Sequence, residues 1–256
     1  MPPLSYIITA VVLAAGVAVS IPPTLGFSIL LWYWLFAAAG CILVVAGAFK
    51  VAAGLSAPLW IGIALASPAL VWAAFTGVHE MTSYGYSPAI SLTFGLATRF
   101  AHLAAAAGAL KLVETLSGPH AAFRIGYWVL AAAALLVGIS FLTYAMGLNF
   151  TKYALYATTA WAVTIAATLV KYGAVIGAAV LITMRRDIER WTAVVISLIG
   201  AYMLYKALWP LFPVPGQPEG LMFWLWPVVM FVGGAAVWRM GSVLRGQVLP
   251  EPVVQG

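Results

Sequence analysis

Charge is what this sequence has least of. Asp, Glu, Lys and Arg make up 7% of the residues, against about 25% in an average soluble domain. Hydrophobic residues make up 64%, against about 45–50%, and mean hydropathy is +1.06. So few charges cannot clothe a soluble surface, which excludes an ordinary globular domain. Cysteine is almost absent too: the one thiol, Cys41, rules out an intrachain disulfide framework and any multi-cysteine zinc or iron–sulfur site. There are three histidines, and no HExxH, GxSxG, Walker loop or paired acidic motif. Autonomous hydrolysis or phosphoryl transfer is therefore not expected. At most the chain would be a non-autonomous subunit of a membrane oxidoreductase.

What is present is a series of long apolar runs. They are too long and too uniform for barrel strands, which alternate over about ten residues. At about 20 residues per span, eight helices use up nearly all of the 256 residues. The expected fold is all-α: a polytopic integral membrane bundle of eight transmembrane helices, a single domain with no soluble part. The spans are read at about 4–21, 27–53, 58–79, 88–116, 123–147, 152–185, 191–211 and 221–244. Pro22-Pro23 stops the first, which has no basic residue before it and reads as a retained helix rather than a signal peptide. Pro88 opens the fourth, where its missing N–H costs nothing. Ser67-Pro68 interrupts the third and should kink it. Small-residue runs at 37–40, 104–109 and 233–236 let helices approach closely in lipid.

Net charge is +6, but the basic residues are scattered over helix ends, so topology accounts for them better than a nucleic-acid partner does. Lys50, Lys111, Arg124, Arg185, Arg186, Arg190, Arg239 and Arg245 all fall on one side only if there are eight spans. Lys152 and Lys206 lie toward the other side. The positive-inside rule then places both termini in the cytoplasm and the chain in the plasma membrane. Trp60, Tyr127, Trp128, Trp191 and Trp238 mark the basic boundary; Trp32, Tyr33, Trp34, Tyr153, Tyr156, Trp209, Trp224 and Trp226 form an outer aromatic excess. These read as interfacial belts, with the outer excess as a candidate lining for a flat ligand.

Function is sought where ionisable groups sit in hydrocarbon, because such groups usually face a cavity or the bundle interior. Counting from Lys111, Arg99 and His102 lie about 18 Å and 14 Å inside the boundary, three residues apart on one helix face. Counting from Arg185, Lys171 lies about 21 Å deep, preceded at helical spacing by Thr168, Thr164 and Trp161. The acids are elsewhere. Glu80, beside His79 at an outer helix end, is the one candidate partner for Arg99, while Glu114, Asp187, Glu189, Glu219 and Glu251 fall at the basic end, in loops or in the tail. Buried cations in excess of buried acids imply an anion, a propionate, a carbonyl-bearing ligand such as a quinone, or a lysine left neutral by desolvation.

These residues support three readings. The first is a membrane-anchor subunit of a respiratory or electron-transfer complex that handles a quinone. In it Arg99 and His102 position and protonate the headgroup, Lys171 with Thr164, Thr168 and Trp161 lines a polar path, and His79 and Glu80 exchange protons with the outer face. One b-type haem on His102, paired with His79, Met81 or Met146, is the further cofactor considered; three histidines do not supply two haems. The second is a channel or transporter for a small anion or organic acid, with Arg99 and Lys171 as selectivity charges. The third is a structural or assembly subunit without its own ligand. Expected partners are the lipid bilayer and the protein subunits of a complex, or further copies of the chain. In length, short loops and outer polar cluster the chain is similar in architecture to the eight-helix membrane subunits of the polysulfide- and DMSO-reductase type. It does not match that family's residue motifs, and architecture alone does not establish function.

Overall fold

A computed structural model describes the backbone of residues 26–82, 88–145, 154–208 and 219–247; side chains are described for 35–74, 93–143, 162–205 and 226–246. The described residues form seven helices and no strand: α1 Gly26–Gly54, α2 Leu59–Thr82, α3 Pro88–Ser117, α4 Ala121–Ala145, α5 Ala154–Arg185, α6 Arg190–Leu208 and α7 Glu219–Gln247. They match the second to eighth predicted spans, each end falling within three residues. The predicted first span lies outside the described residues. Five helices (α1, α3, α4, α5 and α7) are long and apolar enough to cross a membrane, and α2 and α6 carry shorter apolar stretches, Leu59–Ala74 and Arg190–Tyr205. The chain is a helical bundle built for lipid.

Three short turns join helices at one end, and each is closed by backbone chemistry. After α1, Ser56 takes a positive φ of 51° and Ala57 N–H reaches back to the Ala52 carbonyl at 2.8 Å. After α5, Asp187 has φ 49° and Ile188 N–H bonds the Thr183 carbonyl at 3.3 Å. Both satisfy carbonyls that a helix end leaves orphaned, by the six-to-one bond of a Schellman motif. After α3 the same left-handed position is held by Gly118, at φ 90°. Ser56 and Asp187 carry a Cβ where glycine is the unstrained residue. Ser56→Gly and Asp187→Gly are each expected to stabilise the protein by about 0.5–1 kcal/mol, and Gly118→Ala to destabilise it by about as much. Thermal-unfolding midpoints in detergent check this; a fall for both glycine variants would refute it.

In cross-section, α1, α2, α3, α5, α6 and α7 each pack on the next, and α7 returns to α1, making a ring of six. The fourth helix stands outside it, in the groove between α3 and α5. Accordingly, 17% of its apolar segment is buried, against 33–39% in the other four long helices. Ile61, Leu112, Ile182, Ile196, Met240 and Leu244 fill the ring's interior toward the turn end. A second cluster, with Ala106, Leu110, Leu130, Ala133, Ala167 and Ala174, joins α3, α4 and α5.

The closest contact is between α1 and α7. Gly40, Gly47 and Gly54 recur every seven residues on α1, and Gly234 and Gly241 do so on α7. A Cβ on Gly47 would stand 2.5 Å from Trp238 N, one on Gly40 2.6 Å from Met230 C, and one on Gly234 2.6 Å from the Gly40 carbonyl oxygen. The backbones touch, and a seven-residue period keeps the two glycine rows facing each other over several turns. Contacts advance in the same direction along both helices, so α1 and α7 run parallel, as helices of an up-and-down bundle do when an odd number of helices lies between them. Lys50 adds a tie near the turn end, bonding Ser242 Oγ at 3.0 Å with its ammonium 4.3 Å from the Trp238 ring centroid.

Helix α2 continues through Pro68. Proline cannot donate to the carbonyl four residues back, which is that of Ala64. The Ser67 hydroxyl lies 2.7 Å from this carbonyl and 2.9 Å from that of Ala101 on α3. One hydroxyl hydrogen thus serves a broken rung and a helix contact in turn.

Apart from Arg99 and Lys171, the described basic residues gather at the turn end. Arg239 there bonds Glu189 at 2.8 Å, and Glu114 accepts from Lys111 at 2.9 Å and from the Tyr127 hydroxyl at 3.0 Å. Trp60, Trp128, Trp191 and Trp238 are exposed near the same end, as interfacial aromatics are. Of the predicted outer aromatics, Trp226 has a described side chain and is partly buried; the others lie outside the described side chains.

Candidate functional site

Three helices each turn one face to a common cavity with the same register. From α3 come Arg99, His102, Leu103 and Ala106; from α5, Thr164, Ala167, Thr168 and Lys171; from α4, Ala133, Leu136, Val137 and Ser140. Each set is spaced i, i+3, i+4, i+7, the stripe that a 3.6-residue helix presents to one side. Tyr172 completes the lining, and the cavity volume is about 480 Å³. At 1.5 Å per residue the cavity extends roughly 10 Å along the bundle. It lies between the ring and α4, off the ring's axis. Arg99 and Thr164, both exposed, stand at its end away from the basic turns.

The sequence places Lys171 and His102 on different helices, 69 positions apart, and the fold brings them into contact. Lys171 Nζ lies 2.7 Å from His102 Nδ1 and 3.3 Å from the Tyr172 hydroxyl oxygen. The ammonium is also 4.6 Å from the Tyr172 ring centroid. A 2.7 Å contact between two nitrogens needs one hydrogen and one lone pair, so they cannot both be protonated along that line. When Lys171 donates, the imidazole carries its hydrogen on Nε2. When the imidazole donates, Lys171 is the neutral amine. The contact therefore places one hydrogen on the line between them, at the edge of the cavity.

Thr168 Oγ1 donates to the Thr164 carbonyl at 2.8 Å, so its hydrogen is committed to its own helix and its lone pairs are what remain for a ligand. The side chains of Trp161, His79 and Glu80 lie outside the described residues. His120 is an exposed residue of the turn before α4, its ring 5.9 Å from that of Phe123. Among the described residues no carboxylate lines the cavity. Glu114 and Glu189 are engaged at the other end of the bundle.

Sequence reasoning missed two lining residues. Tyr172 follows Lys171 and sits eight positions after Thr164, at the edge of the same stripe. Ser140 is a polar residue seven positions from Ala133 on a face otherwise apolar, a signal visible only once α4 is known to be a wall. For a haem iron the described lining offers one imidazole, whose Nδ1 is already in contact with Lys171, and no second histidine or methionine. Among the described residues no group of three metal-ligating side chains occurs. His79, Met81 and Met146, the partners considered for a haem on His102, lie outside the described side chains.

Fold and site together define a class, a helical membrane protein with a cavity that carries Arg99, His102 and Lys171 beside a six-helix ring. No protein-family model matches the chain, and no curated protein or solved structure does.

Proposed function

We propose that the chain is a quinone-handling membrane subunit of an electron-transfer complex, crossing the plasma membrane eight times with both termini in the cytoplasm. The topology rests on the gathering of basic residues at the turn end and on the parallel α1 and α7. The observation that carries the function is the Lys171–His102 contact in the wall of a cavity off the ring's axis. A quinone there would carry two electrons and two protons between this subunit and its redox partners. Lys171 and His102 donate to one carbonyl oxygen and hold the proton it takes up. Arg99 at the mouth orients the other end of the headgroup by charge-assisted hydrogen bonds. Leu103, Leu136 and Val137 pack the ring and keep water from the proton.

The second reading, transport of a small anion or organic acid, draws on the same lack of lining acids. The axis of the ring counts against it. The gap there is about 120 Å³ and is lined by apolar side chains such as Val44, Ala48, Leu112, Ala178, Ile196 and Val237. A charged solute would cross it without a polar partner. The test is titration of the purified full chain in nanodiscs with decylubiquinone, followed by tryptophan fluorescence. Saturable one-to-one binding is expected. Absence of saturation, with acetate flux into liposomes that disappears in Lys171→Met, would replace the quinone reading with transport.

A further inference from the structure

Hydrogen-bond donation alone does not call for a lysine at position 171. A serine, threonine or tyrosine donates to a carbonyl oxygen at lower cost in hydrocarbon, where an ionisable side chain usually marks a function. What lysine adds is a primary amine, which bonds covalently to carbon once its extra proton has been removed. The groups that such a step needs lie around Nζ. His102 Nδ1, at 2.7 Å, is placed to take the proton that separates ammonium from amine. The Tyr172 hydroxyl oxygen, at 3.3 Å, accepts from Lys171 and has a hydrogen of its own to give. Nucleophile, base and acid thus meet at the edge of one cavity. That cavity, of about 480 Å³, has room for a chain-like ligand, and Ala133, Leu136 and Val137 of α4 offer an alkyl tail an apolar wall.

We infer that Lys171 forms a Schiff base with an aldehyde whose alkyl tail lies along α4, while His102 and Tyr172 move the protons. The ammonium first gives a proton to His102. The amine nitrogen then bonds to the carbonyl carbon, and the carbonyl oxygen takes one amine hydrogen by way of Tyr172, leaving a carbinolamine. Its hydroxyl departs with the second amine hydrogen as one molecule of water, and a C=N double bond remains. The imidazolium returns its proton to the imine nitrogen. In sum, one ammonium and one aldehyde give one protonated imine and one water, with nothing oxidised or reduced. The inference goes beyond the quinone reading and does not rest on it, although both use the same cavity.

The test incubates the purified full chain, in phosphatidylcholine nanodiscs, with nonanal and sodium cyanoborohydride, which reduces an imine to a stable secondary amine. Peptide mass spectrometry then gives the rate of modification at each lysine. Lys111, bonded to Glu114 at 2.9 Å at the basic end, is the comparison within the same molecule. At neutral pH Lys171 is expected to be trapped at least tenfold faster than Lys111. In His102→Gln the rate at Lys171 should fall at least tenfold at neutral pH and recover in alkali, where the amine needs no base. Tyr172→Phe should slow trapping and leave its pH profile in place. A rate at Lys171 no greater than at Lys111 overturns the inference, as does an unchanged rate in both variants. If His102→Gln fails to fold by circular dichroism, an unchanged rate in Tyr172→Phe alone overturns it. Decylubiquinone titration of the same preparation keeps the two readings apart: trapping without quinone binding upholds the Schiff base and removes the quinone, and quinone binding without trapping does the reverse.

Discussion

Gly47→Leu is expected to leave little folded protein, and even Gly47→Ala should destabilise the bundle by about 1–3 kcal/mol. The first atoms a Cβ would meet there are backbone: Trp238 N at 2.5 Å, Val237 C at 2.7 Å and Trp238 Cα at 2.8 Å. A side chain in that position could turn away; a helix backbone cannot. One methyl group therefore has to drive α1 and α7 apart along the whole glycine row, and the contacts at Gly40, Gly234 and Gly241 weaken together. In lipid no hydrophobic term opposes the separation, since association between helices rests on packing. Gly234→Ala should behave in the same way. The structure supplies its own controls. A Cβ on Gly138 or Gly173 meets nothing within 4 Å, so alanine at either position should be neutral or stabilise by about 0.5–1 kcal/mol through helix propensity. Unfolding midpoints of the four alanine variants, measured side by side, give the answer. If Gly47→Ala and Gly173→Ala shifted equally, the close approach of α1 and α7 would be refuted.

Lys171→Met should separate binding from stability. A charge-assisted hydrogen bond to a ligand is worth about 1.5–3 kcal/mol, which corresponds to about a 10–150-fold loss of quinone affinity. The fold should tolerate the change. Methionine matches the lysine stem in length and bends to fit, and removing an amine from apolar surroundings relieves the cost of keeping it there. Tyr172 and His102 keep an open cavity beside them and can be reached by water when the ligand is away. The midpoint should therefore stay the same or rise while affinity falls, the pattern expected of a residue kept for function at some cost in stability. A lower midpoint with unchanged quinone affinity would mean that Lys171 serves to hold α3 and α5 together.

The helices were legible because their signals are local. Uninterrupted apolar runs, Pro88 at a first turn and basic residues at helix ends located seven helices without reference to any neighbour. Depth arithmetic picked out Arg99, His102 and Lys171 for the same reason: a charge in a long apolar run is conspicuous wherever the run packs. Tyr172 and Ser140 were not conspicuous, because tyrosine and serine are common in such helices and only a facing charge gives them meaning. Of the glycine rows, only Gly40 and Gly234 fall within the small-residue runs, and the seven-residue period is significant only when two rows face each other.

By itself, then, the sequence determined the class of fold and which side chains needed an explanation, since hydropathy and helical spacing are properties of one segment at a time. Only the tertiary structure decided that α4 stands outside the ring, that the polar cavity lies off the ring's axis, and that Lys171 reaches His102. Those facts depend on which helix packs on which. In lipid that choice is made by the fit of small residues and the few interhelical hydrogen bonds, and such fit is a property of two surfaces that no single stretch of sequence contains.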